Sequence, residues 1–310
     1  MRGEQSPLLP KAADRPETDN TLTIYTQNVH GLRANEEKLE YLIRKMDEKK
    51  IDAYMIQETH LEGDYIKILP RNFTMIHHGP ESQPRQGAKG GVAIILSPEM
   101  TQNWKRGGNI IRRGGLSAGE TTRLMSIDVD IKTLVKTKSK LKTKHVKVSL
   151  LTSYHPTSAY KESDISIFNN QVTRMLNEIP KPNILIMGAD LNASIGTRSN
   201  DTTDIKDPSA SLLGPHGNPR RNARGDLIIG ILNQFQLRAA STFFESSKGH
   251  DTWIHPATKV KYQLDHFLIK KKHLQIIMGV KRKGDGIPSD HAALCIKLKF
   301  PNAKLTPRKQ

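Results

Sequence analysis

Two rhythms of apolar and polar residues run along this chain, and the switches between them mark its elements. Residues 21–27 alternate with β-branched side chains and read as a strand. Leu39, Leu42, Ile43 and Met46 then follow at helical spacing, so a helix is expected over residues 35–49, capped by Asn35. Residues 53–57 and 91–96 are short apolar runs of strand composition. Residues 122–131 and 146–154 read as two strands joined by a lysine-rich turn. A helix is expected over 163–178, a buried strand over 183–187, and a helix over 223–235 with Leu227, Ile228, Ile231, Leu232 and Phe235 facing inward. Short strands carry the remainder. Mixed strands and helices over one core predict an α/β fold of layered sheets with helices outside.

Composition narrows the partners. The 310 residues carry 48 Lys and Arg against 31 Asp and Glu, a net charge of +17, which points to an acidic polymer, nucleic acid first. The bland alternative is a basic protein with no such partner. Residues 1–20, with three prolines and few apolar groups, read as a flexible tail, and residues 301–310 as a basic tail. Residues 21–300 show no repeat or composition break and are expected to form one domain. The single cysteine, Cys295, lies in a strand pattern, which excludes an intrachain disulfide and fits a reducing, intracellular compartment. No apolar run approaches the length of a membrane span, and the N-terminus lacks an apolar signal core.

Candidate chemistry sits at strand ends. Residues 54–57 lead to Glu58, residues 184–189 to Asp190 and Asn192, residues 262–264 to Asp265, and the strand at 22–26 to Gln27 and Asn28. Ser289-Asp290-His291 precedes another apolar run. Charges at the ends of buried strands are costly unless compensated. Several acids converging at one sheet end can be reconciled by a hard cation such as Mg²⁺. A histidine among them suggests acid–base or electrostatic chemistry beside the metal. Taken singly, each piece has a plain reading: a turn, a solvated charge, an Asx-turn or, for Tyr154, a core aromatic.

Their order in the chain adds a second argument. Gln27-Asn28-Val29-His30-Gly31, Gln57-Glu58-Thr59-His60, Gly90-Gly91-Val92-Ala93, Ser153-Tyr154-His155-Pro156, Gly188-Ala189-Asp190-Leu191-Asn192, Leu264-Asp265-His266 and Ser289-Asp290-His291 follow one another. This series resembles the endonuclease/exonuclease/phosphatase superfamily, which includes exonuclease III, abasic-site endonucleases and DNase I-like enzymes. The resemblance implies a four-layer sandwich, two packed mixed sheets flanked by helices, with the active site at one end. It implies Glu58 as the principal Mg²⁺ ligand, with Asn28 and Asp290 near the same ion, and Mn²⁺ able to substitute. It implies that Asp190 orients or deprotonates the attacking water and that Asn192 contacts the phosphate and fixes that acid. His291 would donate to a phosphate oxygen, held by Asp265, and Tyr154 would also contact the phosphate. Two positions depart from the family: Ala189, where many relatives have a second glycine, and His30, which takes no assigned role.

Residues 214–217 followed by residues 222–227, and Thr252-Trp253-Ile254 before the Leu264-Asp265-His266 motif, resemble segments of non-LTR retrotransposon (LINE-like) endonucleases. The implied activity is the nicking of DNA in the nucleus, with a reverse transcriptase domain of the same element as partner. The alternatives are a DNA-repair abasic-site endonuclease or, further off, a phosphoinositide or sphingomyelin phosphatase or a deadenylase. Thr252 stands where an abasic-site enzyme would be expected to carry a larger wedge. Finally, residues 131–147 hold seven lysines and no acid. Lys138, Lys140, Lys142 and Lys144 alternate, and an extended hairpin would line them on one face as an arm along the DNA beside the active site.

Overall fold

The computed structural model describes residues 21–32, 36–81, 90–115, 121–136, 141–198 and 211–300. The first half of the chain runs β1 (Thr21–Asn28), α1 (Glu36–Glu48), β2 (Ala53–Gln57), β3 (Tyr65–Ile68), β4 (Thr74–His78), β5 (Val92–Leu96), α2 (Pro98–Arg106), β6 (Ile111–Arg113), β7 (Leu124–Lys136) and β8 (Leu141–Tyr154). The second half adds α3 (Glu162–Glu178), β9 (Ile184–Asp190), α4 (Ala223–Gln234), β10 (Leu237–Ala239), β11 (Trp253–Ile254), β12 (Lys261–Tyr262), β13 (Asp265–Lys270), β14 (Ile277–Lys283) and β15 (Ala293–Lys299). The expected tails at 1–20 and 301–310 lie outside the described residues, as does the Asn35 cap.

Seven strands form one sheet in the order β14-β15-β1-β2-β5-β4-β3, and six form another, β10-β13-β9-β8-β7-β6. Only the β1–β2 and β8–β9 pairs are parallel. Period-2 alternation gives each sheet an inner and an outer face. Leu22, Ile24, Met55, Ile94, Ile127, Val148 and Leu150 interdigitate between the sheets. The outer face of the seven-stranded sheet meets Leu42, Ile43 and Met46 of α1. The outer face of the six-stranded sheet meets Phe168 and Val172 of α3 and Ile228 and Leu232 of α4. These are the four layers that the family resemblance implied.

Some inferred details change. α4 turns Ile229 inward, not Leu227, which is 47% exposed. The 3.6-residue period allows only one of two such neighbours to face the sheet fully. The helix α2 was not anticipated, although Ser97 caps it by accepting from Met100 N and Pro98 opens its first turn. Ala189 accepts its methyl without cost, because it faces the outer cluster and is fully buried there. Gly188 faces the other way. A Cβ there would lie 2.7 Å from Thr26 Oγ1 and from Met55 Cε, so this glycine lets the two sheets approach below the site. Among the described residues no helix is long and apolar enough to cross a membrane.

Candidate active site

Strand direction gathers the candidate residues. In the six-stranded sheet, Tyr154, Asp190 and Asp265 are register neighbours at the same end of β8, β9 and β13. In the seven-stranded sheet, Asn28 and Gln57 are neighbours at the facing ends of β1 and β2, and Glu58 follows. The chain leaves these strands in tight turns. His30, Glu58, His60 and Asn192 all adopt left-handed backbone, with φ of 48°, 54°, 53° and 45°. Non-glycine residues there are uncommon and cluster at functional sites.

The two sheets are tied together just beneath. Gln57 Nε2 donates to Thr26 Oγ1 at 3.0 Å and to Thr152 Oγ1 at 2.9 Å. Above this tie, Asn28 Nδ2 donates to Glu58 Oε1 at 3.0 Å and to Asp190 Oδ2 at 2.9 Å. Asp190 is fully buried, and its other oxygen accepts from Asn192 N at 3.0 Å. The Asn192 side chain donates to His155 O at 2.8 Å. His291 Nδ1 meets Asp265 Oδ2 at 2.8 Å, while its Nε2 lies 4.0 Å from Asp190 Oδ2.

These contacts set the charges. Burial would raise the Glu58 carboxyl, but hydrogen bonds from His60, Tyr154 and Asn28 outweigh it and hold the pKa at about 2. Burial would likewise lower His291. The charges of Asp265 and Asp190 reverse that and push it up to about 10, so its ring is a cation at neutral pH. Asp190 moves upward, first through burial and then through repulsion from Asp265, against the opposing pull of His291. A carboxylate raised in this way is a better base than an exposed one.

Asp290 behaves differently from Glu58 and Asn28. It lies at the exposed rim, where Oδ2 accepts from Trp253 Nε1 at 3.0 Å and Oδ1 meets His30 Nδ1 at 3.2 Å. None of its hydrogen bonds reaches Glu58 or Asn28. A second group of possible ligands, Asp190, Asp265 and His291, places its atoms within 4.8 Å of one another. His291 keeps Nδ1 on Asp265 and faces Asp190 with Nε2. Asp265 Oδ1 is buried without a hydrogen-bond partner, and Glu58 is held ionised beside a carboxamide. An oxygen-rich, anionic set of this kind fits a hard divalent cation at Glu58, with the Asn28 carboxamide beside it.

Two contributors escaped the sequence reading. Gln27 uses its whole side-chain amide to fix the loop bearing Asp290 and His291. Its Nε2 donates to Ile287 O at 2.9 Å and His291 O at 2.7 Å, while Oε1 accepts from Ile287 N and from the Tyr54 hydroxyl. Arg123, buried at 4% exposure, sits 4.3 Å over the Tyr154 ring. Thr252 is buried too, and its hydroxyl accepts from Leu264 N and Asp265 N, so it braces the strand that carries Asp265.

The lysine arm is misplaced by the sequence reading. β8 ends at the site with Tyr154, so the hairpin at its start lies at the other end of the sheet. Lys144 is ten positions before Tyr154, about 33 Å along an extended strand. Lys142 and Lys144 take register positions opposite Val135 and Thr133 and share one face of the ribbon. Lys138 and Lys140 lie outside the described residues.

A family model described as the endonuclease/exonuclease/phosphatase family matches residues 25–291. Craniofacial development protein 2 of Tragulus javanicus is 23% identical over 287 residues, which cover 92% of this chain and 43% of that protein. The Bos taurus protein of the same name matches at 23%, over 42% of its length. The chain thus spans less than half the length of these relatives. Among solved structures, the endonuclease domain of TRAS1, a telomere-specific non-LTR retrotransposon, superposes with a TM-score of 0.55 at 15% identity, covering 90% of this chain and 99% of that one. The AP endonuclease LMAP from Leishmania major gives 0.61 at 14%, covering 91% and 88%. These likenesses establish a shared fold.

Proposed function

Because the chain belongs to the endonuclease/exonuclease/phosphatase family, we propose that it hydrolyses phosphodiester bonds in DNA, nicking the strand as the endonuclease of a non-LTR retrotransposon. The observation that carries the hydrolytic reading is the meeting at one end of the sandwich of two hydrogen-bonded groups, Asn28 with Glu58 and Asp190, and His291 with Asp265, which face each other across 4.0 Å between His291 Nε2 and Asp190 Oδ2.

Each group has a task that its surroundings suit. Asp190, raised by burial and held by Asn28 and by the backbone of Asn192, takes the proton of the attacking water as the new P–O bond forms. The bond to the leaving oxygen breaks, and that oxygen keeps the bonding pair and takes a proton from solvent, ending as a hydroxyl. His291, kept cationic and oriented by Asp265, donates to a non-bridging phosphate oxygen, where negative charge accumulates. Tyr154 contacts the same phosphate, its ring fixed beneath Arg123. A divalent cation at Glu58 and Asn28 would supply charge neutralisation at the phosphate oxygens.

The DNA substrate is supported by the +17 net charge, and the retrotransposon role by the motif segments at 214–227 and 252–254. The inward, bracing position of Thr252 leaves no wedge there for a baseless sugar. The test is a side-by-side assay in Mg²⁺ of plain supercoiled DNA, a duplex with one abasic site, and a phosphoinositide. Nicking of plain DNA, with at most a modest preference for the abasic duplex, is expected. Cleavage confined to the abasic duplex would move the assignment to repair, and turnover of the lipid alone would overturn DNA as the substrate.

A further inference from the structure

Charge on this molecule is divided between its two ends. The carboxylates gather where β8, β9 and β13 finish or begin at the active site. The opposite end of the same sheet carries lysines from three separate stretches of chain. Lys132, Lys142 and Lys144 are exposed on the protruding β7–β8 ribbon. Lys181 precedes β9, Lys270 ends β13, and Lys272 lies in the short 3-10 helix Lys271–Ile276 that follows. Lys272 and Lys181 lie close enough to Lys270 for their charges to lower it further after burial, and Lys272 and Lys270 act in the same way on His273.

The nearby acids are already engaged. Asp130 meets His145 Nδ1 at 2.8 Å, and Glu178 lies 3.8 Å from Arg174. A cluster of lysines, with the local carboxylates committed elsewhere, forms a surface that a polyanion would stabilise. The distance is also informative. Lys270 lies five positions after Asp265, Lys181 nine before Asp190, and Lys144 ten before Tyr154, so the cluster stands roughly 17 to 33 Å from the reacting groups. Its lysines cannot hold the phosphates that flank the scissile bond.

We propose that this lysine-rich end is a second nucleic-acid surface, which binds the phosphate backbone of a duplex segment other than the one being cut. Recognition is by charge, since the cluster is made chiefly of ammonium groups, which contact phosphates and carry no sequence information. One molecule could then hold two stretches of duplex, one at each end.

Binding in chelator separates this surface from catalysis, so the result stands whether or not the enzyme cuts DNA. A fluorescein-labelled 20-base-pair duplex is titrated by anisotropy over a range of salt. The protein, the variant Lys144→Gln/Lys181→Gln/Lys272→Gln, and a control of equal charge change, Lys50→Gln/Lys67→Gln/Lys281→Gln, are compared. Each lost phosphate contact flattens the log–log salt slope by about 0.9, so the first variant should lose roughly two to three units and the control less than one. Equal losses in both variants would reduce the effect to net charge and overturn the proposal, as would no binding by the unaltered protein. Vesicles containing phosphatidylserine form the last arm. Loss of vesicle binding in the first variant, with duplex binding intact, would assign this end to an anionic membrane and overturn the nucleic-acid reading.

Discussion

Asp190→Asn is expected to reduce turnover by about 10³-fold or more while leaving the protein at least as thermally stable as before. The rate loss follows from removing the base that receives the proton of water, an effect of about 10²–10⁴ in comparable cases, with the hydrogen bonds of Asn28 disturbed as well. The stability follows from repulsion. Asp190 and Asp265 are register neighbours, both buried, and the charge of Asp265 raises the cost of charging Asp190. Removing one charge relieves a strain that the site keeps for function. Turnover within tenfold of the unaltered protein would remove Asp190 from the proton transfer. A large fall in melting temperature would show that its role is structural.

The second large effect concerns a pair. His291→Ala and Asp265→Ala should each lose on the order of 10²–10⁴-fold in kcat, because the imidazole needs the carboxylate 2.8 Å away to stay oriented and cationic. The double variant should fall within about tenfold of the weaker single variant, since the second substitution removes a partner whose purpose has already gone. Losses that multiply in full would show that the two groups act separately.

Much of this site is legible in the sequence, for a physical reason. Carboxylates placed at strand ends and in family order point to both the sheet end and the chemistry. Glu58, Asp190, Asp265 and His291 come together at that end. What escaped was information carried by long-range hydrogen bonds. Gln27 reads as an ordinary strand-end residue, yet its amide holds a loop 260 positions away. Trp253 reads as part of a lineage motif, yet its indole holds Asp290. The short edge strand β3 was missed because three of its four residues are exposed, so its pattern carries no buried face.

The lysine arm teaches a different point. Its composition was read correctly, and its position could have been read as well. A strand that delivers Tyr154 to the site at its end must begin far from the site, and the lysines precede it. Direction along a strand is as informative as periodicity, and here it separates the acidic end of the molecule from the basic one.

We propose that the carboxylates at the active-site end cut a phosphodiester with the help of a divalent cation. Conversion of supercoiled plasmid to open circles, followed with Mg²⁺ and again with excess chelator, tests it most directly, with Glu58→Gln run alongside. Nicking is expected in Mg²⁺, none in chelator, and a rate for the folded Glu58→Gln protein at least about 10²-fold lower. Nicking that proceeds undiminished in chelator, or in the Glu58→Gln protein, would contradict it.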